Sequence, residues 1–398
     1  MKGQNMLPRI RISYLNGQLG TVGDSPDGLF AIVCGAEAVG STFALEKAYS
    51  IRRPADLDAL GVTAENNPRL YKHVSDFYSI AEEGTEVIVW GVDKSTAMTA
   101  LLDKTTGSAR KLLEAEGGKL RGLFVALDGK AGTSSDNGLD EDVFTALPKA
   151  QELAEWSTDE MYAPIFVVLE GRGYSDSESF TDLSEMTDNR VGVLVGDTTS
   201  ESEGACVGLL AGRLASIPVQ RNIGRVRDGA LPATEMYIGA AKVETGMSVI
   251  EELYDKGYIT PRKYTGRSGY FFTDDRLACD ETDDYAHLAN RRVIDKAYRI
   301  VYDTLLDMML DELEVNEDGT LQTGVVKSWQ QTVEDKLNAN MTAAGELSAG
   351  DDGEGAVCYI DETQNVLATS KVEVTVKVRP FGYARYIDVS LGFEVQTS

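Results

Sequence analysis

The chain of 398 residues predicts an α/β unit joined to an α+β unit, with a β-strand arm at each end. Three observations carry this. Continuous apolar runs alternate with segments of helical period between residues 29 and 240. Beyond residue 240 that rhythm gives way to long helical patterns and a final pair of strands. Both ends of the chain alternate with a period of two, the mark of a half-buried strand. The implied division is a strand segment at 1–28, an α/β domain at 29–240, an α+β domain at 241–380 and a strand segment at 381–398.

The opening stretch "RIRISYLNGQLGTV" alternates at Ile10, Ile12 and Tyr14, then breaks at Asn16-Gly17, a strong turn signal. "GLFAIVCGA" follows as a buried strand. "EVIVWGV" (86–92), "LRGLFVAL" (120–127), "PIFVVLEG" (164–171) and "RVGVLVGD" (190–197) read as further strands. Between them, "STAMTALLDKTTGSARKLLEAE" and "LDEDVFTALPKAQELAEW" have helical period, the second despite Pro148. "GACVGLLAGRLAS" is a Gly/Ala-rich helix suited to close packing. Buried strands alternating with helices predict a largely parallel sheet.

In the C-terminal half, "SVIEELYDKGY" is a short helix and "HLANRRVIDKAYRIVYDTLLDMMLDELEV" a long one. The long one places Val293, Ile294, Ala297, Ile300, Val301, Leu305, Met308 and Met309 at helical spacing. "VVKSWQQTVEDKLNAN" sets Val326, Trp329, Val333 and Leu337 on one face. After the turn "AGDDGEGA", "KVEVTVKV" alternates valines with polar residues. The final stretch alternates Ile387, Val389, Leu391, Phe393 and Val395 with polar or small neighbours. Two readings of that last strand stand. It closes a hairpin on "KVEVTVKV", or it is donated to the sheet of a neighbouring molecule.

Sixty-four acids against 38 bases give a formal charge of −26, which opposes binding to a phosphate backbone. No apolar run is long enough to span a membrane, and the start "MKGQNMLPRIRIS" is too polar for a secretory leader, so cytosolic synthesis is expected. Cys34, Cys206, Cys279 and Cys358 are scattered and suit buried, idle thiols. Residues 1–23 hold Lys2, Arg9 and Arg11 and no acid, so this end is basic on an acidic body. Attraction between copies and the chance composition of a short segment both account for that.

Nothing in the sequence nominates a catalytic pair. There is no phosphate-binding glycine motif and no nucleophile elbow. His73 and His287 are the only histidines and are expected to be structural. "GDTTSESEG" (196–204) lies between a strand and a helix, where anions bind, yet it holds three carboxylates. The acids of "TDDRLACDETDDY" (273–285) do not form a calcium loop and read as a solvated segment. Neither a cofactor nor a metal is implied.

The order of these motifs resembles that of contractile tail sheath proteins of phage tails and phage-like injection particles. The resemblance runs through the strand arm "IRISYLNGQLGTV", the strand "LFAIVCGAEAVGST", the stretch "YSIRRPADLDALG" and "RLYKHVSDFYSIAEEGTEVIVWGV". It continues through "LYDKGYITPRKYTGRSGYFFTDDRLA", the "NRRVIDKAYRIVYDTL" helix with Asn290, Arg291 and Arg292, and the closing "VKVRPFGYARYIDVSLGFEV". It implies a tail-sheath-like fold and a structural, non-enzymatic role. The subunit would form a helical homopolymer around an inner tail tube protein, joined by its strand arms, between baseplate and terminator proteins. It would assemble in the bacterial cytoplasm, with the α/β domain outermost and the C-terminal domain forming the lattice. The resemblance also places the tube contact on a charged helix, with Lys327, Glu334, Asp335 and Lys336 as candidates; a solvated helix face accounts for these four equally well. The competing class is an acidic cytosolic α/β enzyme or ligand-binding protein.

Overall fold

The computed structural model describes residues 26–129, 137–175 and 180–391. Its centre is a six-stranded sheet formed by β1 (Phe30–Ala36), β2 (Ala48–Ile51), β3 (Val87–Asp93), β4 (Gly122–Ala126), β5 (Phe166–Glu170) and β6 (Val191–Leu194). The order is β2-β3-β1-β4-β5-β6. All neighbours are parallel except the edge pair β2–β3. The apolar runs explain this directly: both faces of the parallel strands are covered, so no polar alternation is required. Phe30, Phe124 and Phe166 meet edge to face on three adjacent strands, with centroids 5.3–6.0 Å apart. Gly122 makes room for them, since a Cβ there would lie 2.7 Å from the Phe166 ring.

Helices α1 (Pro68–Tyr78), α2 (Ser108–Glu116), α3 (Glu141–Met161) and α4 (Val207–Ala215) follow the strands. The helical stretch expected over 95–116 is split, with a single turn at Met98–Leu101 before α2. Helix α3 runs through Pro148 and starts at Asp140, whose carboxylate accepts the Asp142 N–H. Helix α4 lies almost backbone to backbone on α1. A Cβ at Gly208 would sit 2.2 Å from the His73 carbonyl oxygen, and one at Gly212 would sit 2.5 Å from that of Phe77. That is the close packing its Gly/Ala composition predicts.

Two hydrophobic cores result. The larger surrounds the sheet and includes Val243, Ile250, Leu253, Tyr258, Ile259, Phe272 and Leu277, all from the stretch after residue 240. Helix α5 (Met247–Asp255) belongs to that part. The smaller core is built by α6 (Leu288–Leu306), α7 (Thr323–Leu337) and the hairpin of β7 (Ala356–Ile360) and β8 (Val374–Val378). Helix α6 joins the two, with Leu288 in the first core and Val293, Ala297 and Leu305 in the second. The helical period of the sequence continues to Met309, but the helix stops at Leu306 and turns follow.

One short strand pair also ties the sheet region together, Thr187–Asp188 with Ala278–Cys279. Burial, and then the charge of Glu155, push the Asp188 carboxyl up to about 6. A carboxylate raised on folding favours the fold below the unfolded value of about 4 and loses that contribution as pH rises through the folded value. Asp188→Asn is therefore expected to stabilise the fold at pH 7.5 by on the order of 1–2 kcal/mol, raising the melting temperature, and to lose that effect as pH falls below the unfolded value. Thermal unfolding at pH 7.5 and below the unfolded value checks this.

Candidate intersubunit surface

The C-terminal arm begins where β8 ends. β8 pairs antiparallel with β7, residue Val374 opposite Ile360 and Val378 opposite Ala356. The hairpin partner of "KVEVTVKV" is therefore 356–360, a strand that its own pattern does not single out, and residues 379–391 form no strand. In β7 the pattern is one-sided: Ala356, Cys358 and Ile360 are buried, whereas Val357 and Tyr359 are exposed. The sheet has only these two strands, so each keeps one edge unpaired among the described residues.

The arm itself is held at its root and free beyond it. The Tyr383 hydroxyl donates to the Gln220 carbonyl. Arg385 Nε donates to Asp274 Oδ2 at 2.8 Å, and its Nη2 lies 3.8 Å from Asp275 Oδ1. Past this point Ile387 and Val389 are each 76% exposed and Leu391 96%. The alternation that predicts a half-buried strand thus finds nothing to bury it among the described residues. Phe393 and Val395, like Ile10, Ile12 and Tyr14 of the N-terminal arm, lie outside the described residues.

The root is anchored on buried charge. Asp274 and Asp275 are buried, which corrects the expectation of a solvated acidic segment; only the stretch after Cys279 returns towards solvent. Asn222 Nδ2 donates to both carboxylates, and His287 Nδ1 lies 3.0 Å from Asp275 Oδ1. Asp275 Oδ2 accepts the Ala289 N–H at 2.8 Å and so caps the start of α6. Burial alone would raise the Asp274 carboxyl. A hydrogen bond from Asp275 and the charges of His287 and Arg385 outweigh it and hold the group down at about 2. Burial raises Asp275, against the hydrogen bond to His287. His287 sits against two buried carboxylates, partners not visible as a sequence motif.

The N-terminal end is rooted on the same helix. Asp27, two residues into the described chain, lies 2.6 Å from Lys296 Nζ and 3.5 Å from Arg299 Nη2. Eight to eleven residues of helix separate these anchors from Leu288, or roughly 12–16 Å at 1.5 Å per residue. Helix α6 therefore meets the first described residues directly and the root of the C-terminal segment through Asp275.

Arg291 and Arg292 work inside the chain. Both are buried. Arg291 stacks 4.1 Å from the Tyr285 ring centroid and approaches Asp295 at 3.5 Å. Arg292 Nη2 donates to the carbonyls of Leu214 and Ile217, at the C-terminal end of α4, where carbonyls lack helical partners. Asn290 Nδ2 donates to the Asp284 carbonyl. On α7, Lys327, Asp335 and Lys336 are exposed, but Glu334 turns inward and accepts the Cys358 N–H of β7 at 2.7 Å.

The anion-binding possibility at 196–204 is met internally. Glu170 accepts the Ala205 N–H at 2.9 Å just before α4, and its other oxygen is ion-paired with Arg69. Asp197 takes Lys72 at 2.7 Å and the Ser202 hydroxyl. His73 is buried, and desolvation lowers its pKa. All four cysteines are buried and free, with the Cys34 thiol pushed up to about 12 by burial. No helix among the described residues is long and apolar enough to cross a membrane.

The described geometry is similar to that of known sheath subunits. The chain aligns with a subunit from the helical sheath of the anti-feeding prophage in its contracted state, covering 97% of this chain and 99% of that one, with a TM-score of 0.63 at 15% identity. An extracellular contractile injection system, the PVC sheath complex in its contracted state, gives 99% coverage of both chains, TM-score 0.63 and 13% identity. The sheath tail protein of Desulfitobacterium hafniense gives 92% and 99% coverage, TM-score 0.50 and 11% identity. At such identities the likeness is one of fold. A search of curated protein sequences finds no match. Family models match nearly the whole chain, the DUF2586 N-terminal domain over 7–276 and the DUF2586 C-terminal domain over 284–398. The chain therefore belongs to the DUF2586 family and has the fold of contractile sheath proteins.

Proposed function

We propose that this protein is the structural subunit of a contractile sheath, a helical homopolymer that shortens around an inner tube and drives it through a target envelope. The observation that carries the reading is the end-to-end match in fold to sheath subunits, over 97–99% of the chain. The unburied apolar arm fits it. A strand-patterned segment with Ile387, Val389 and Leu391 facing solvent is an aggregation hazard unless a partner pairs it, and β7 and β8 each offer an open edge among the described residues of the kind such a segment joins. Donation that passes from copy to copy without closing produces a filament. Residues 1–28 and 381–398 serve as the linking arms, 29–240 as the outer part and 241–380 as the lattice-forming part. Lys327, Asp335 and Lys336 remain the candidates for the tube contact. Glu334 is committed to β7. The subunit acts mechanically rather than as an enzyme; its partners are other copies, the tube protein, and baseplate and terminator proteins, met in the bacterial cytoplasm during assembly. The test is negative-stain microscopy and sedimentation of the purified chain. Long tubes or pelletable polymers are expected; a discrete small oligomer at every concentration and salt would remove the reading.

A further inference from the structure

Beside the arm root lies a cavity of about 630 Å3. Its wall is aromatic and aliphatic, with Ile250, Tyr254, Tyr264, Phe381 and Tyr386, and it contains four arginines against the acids Glu251 and Asp274. Three of the four are used within the chain. Arg221 and Arg225 pair with Asp228, and Arg385 with Asp274. Arg262 is different. It stacks 4.2 Å from the Tyr264 ring centroid, its Nε is buried without a hydrogen-bond partner, and it has no carboxylate among the described residues. One arginine without a carboxylate partner, set among aromatic rings, suits an acidic segment with an apolar tip.

The chain itself carries such a segment, away from the cavity. Between α6 and α7, residues 307–318 hold Asp307, Asp311, Glu312, Glu314, Glu317 and Asp318, none of them in an ion pair among the described residues. In their midst Leu310 is 72% exposed and sits at φ 71°, a left-handed conformation that a leucine rarely adopts. Met308 and Leu313 on either side pack on the smaller core, so the loop is anchored with Leu310 turned outward.

We propose that the cavity at the arm root is the docking site for loop 307–318 of a second copy of this chain, with Leu310 entering among the tyrosines and the acids facing Arg262. Receptor and ligand lie on different parts of one molecule, so the contact is of the head-to-tail kind that can pass from copy to copy. It rests on the sheath reading for its place in a polymer and adds a loop-to-cavity contact to the arm linkage. The basic residues 1–23 are the wrong sign for the site.

The test uses the full chain and a labelled synthetic peptide of residues 306–319, read by fluorescence anisotropy at low salt. Saturable binding is expected. It is expected to weaken by about tenfold or more with Arg262→Glu in the protein, or with Leu310→Asp in the peptide. In polymer assays Arg262→Glu is expected to impair assembly, and Asp311→Arg with Glu312→Arg in the same chain to restore it. Absence of saturable binding, binding indifferent to Arg262→Glu, or binding of a 1–23 peptide in its place would overturn the proposal. Peptide binding without polymers at any condition sinks the sheath reading alone. Polymers without peptide binding sink the docking alone.

Discussion

Deletion of residues 386–398 is expected to abolish polymer formation while leaving the melting temperature of the subunit unchanged. The second half of that expectation follows from burial. Ile387, Val389 and Leu391 are largely bare of neighbours among the described residues, and the anchor residues Tyr383 and Arg385 lie before the cut. Of the arm's side-chain bonding, the cut takes away the 3.4 Å approach of the Tyr386 hydroxyl to that of Tyr254, at the surface. The first half follows from what the arm has left to gain. Burying five apolar side chains contributes roughly 8–15 kcal/mol gross. Ordering about ten residues costs about 1–2 kcal/mol each. The two nearly cancel, so main-chain hydrogen bonds to an open sheet edge decide the outcome. A single polar substitution on the apolar face, Val389→Asp, is then expected to behave as the deletion does. Sedimentation of the variants beside their melting curves reads both halves. Polymers of normal length from the truncated chain would exclude the arm as the link.

Much of the fold is legible in the sequence because it depends on local periodicity. The strands β1, β3, β4, β5 and β6 are each apolar runs with turn signals on both sides, and they appear where the pattern places them. The close approach of α4 to α1 is likewise written in Gly208 and Gly212. The arm root is not legible. Asp274 and Asp275 sit in a stretch so rich in acids that solvation is the reasonable expectation, and their partners Asn222, His287 and Arg385 are spread over more than 160 positions. No local signal marks a cluster assembled from four distant segments. Strand β7 escapes notice for a related reason. "AVCYI" is short and follows a Gly/Asp-rich turn, and its role is set by pairing with β8 rather than by its own pattern. Glu334 shows the limit of reading a helix by charge. Its spacing places it on a polar face, but the β7 backbone lies over that face and takes the carboxylate.

Arg385→Ala is expected to act on both stability and assembly, unlike the truncation. Arg385 faces two adjacent buried carboxylates, and removing it leaves them with His287, Asn222 and backbone N–H groups but no arginine. Losing one partner of a buried charge pair costs about 3–5 kcal/mol, and the fifth of the Arg385 side chain that meets solvent brings this towards about 2–3 kcal/mol. The melting temperature therefore falls. The root of the arm also loses its hold, so proteolytic cleavage near residue 385 is expected to speed up while the sheet core stays protected. Asp274→Asn separates charge from packing. It removes the carboxylate that Arg385 approaches most closely but keeps the shape, so the double variant with Arg385→Ala should cost less than the sum of the two single changes. Additive losses would mean that the pair is not coupled. Through Asp275, which Arg385 approaches at 3.8 Å and which accepts the Ala289 N–H, the root of the C-terminal segment is connected to the start of α6. Asp27 ties the other end of the described residues to Lys296 and Arg299 of that helix, so both ends of the described chain connect to one element.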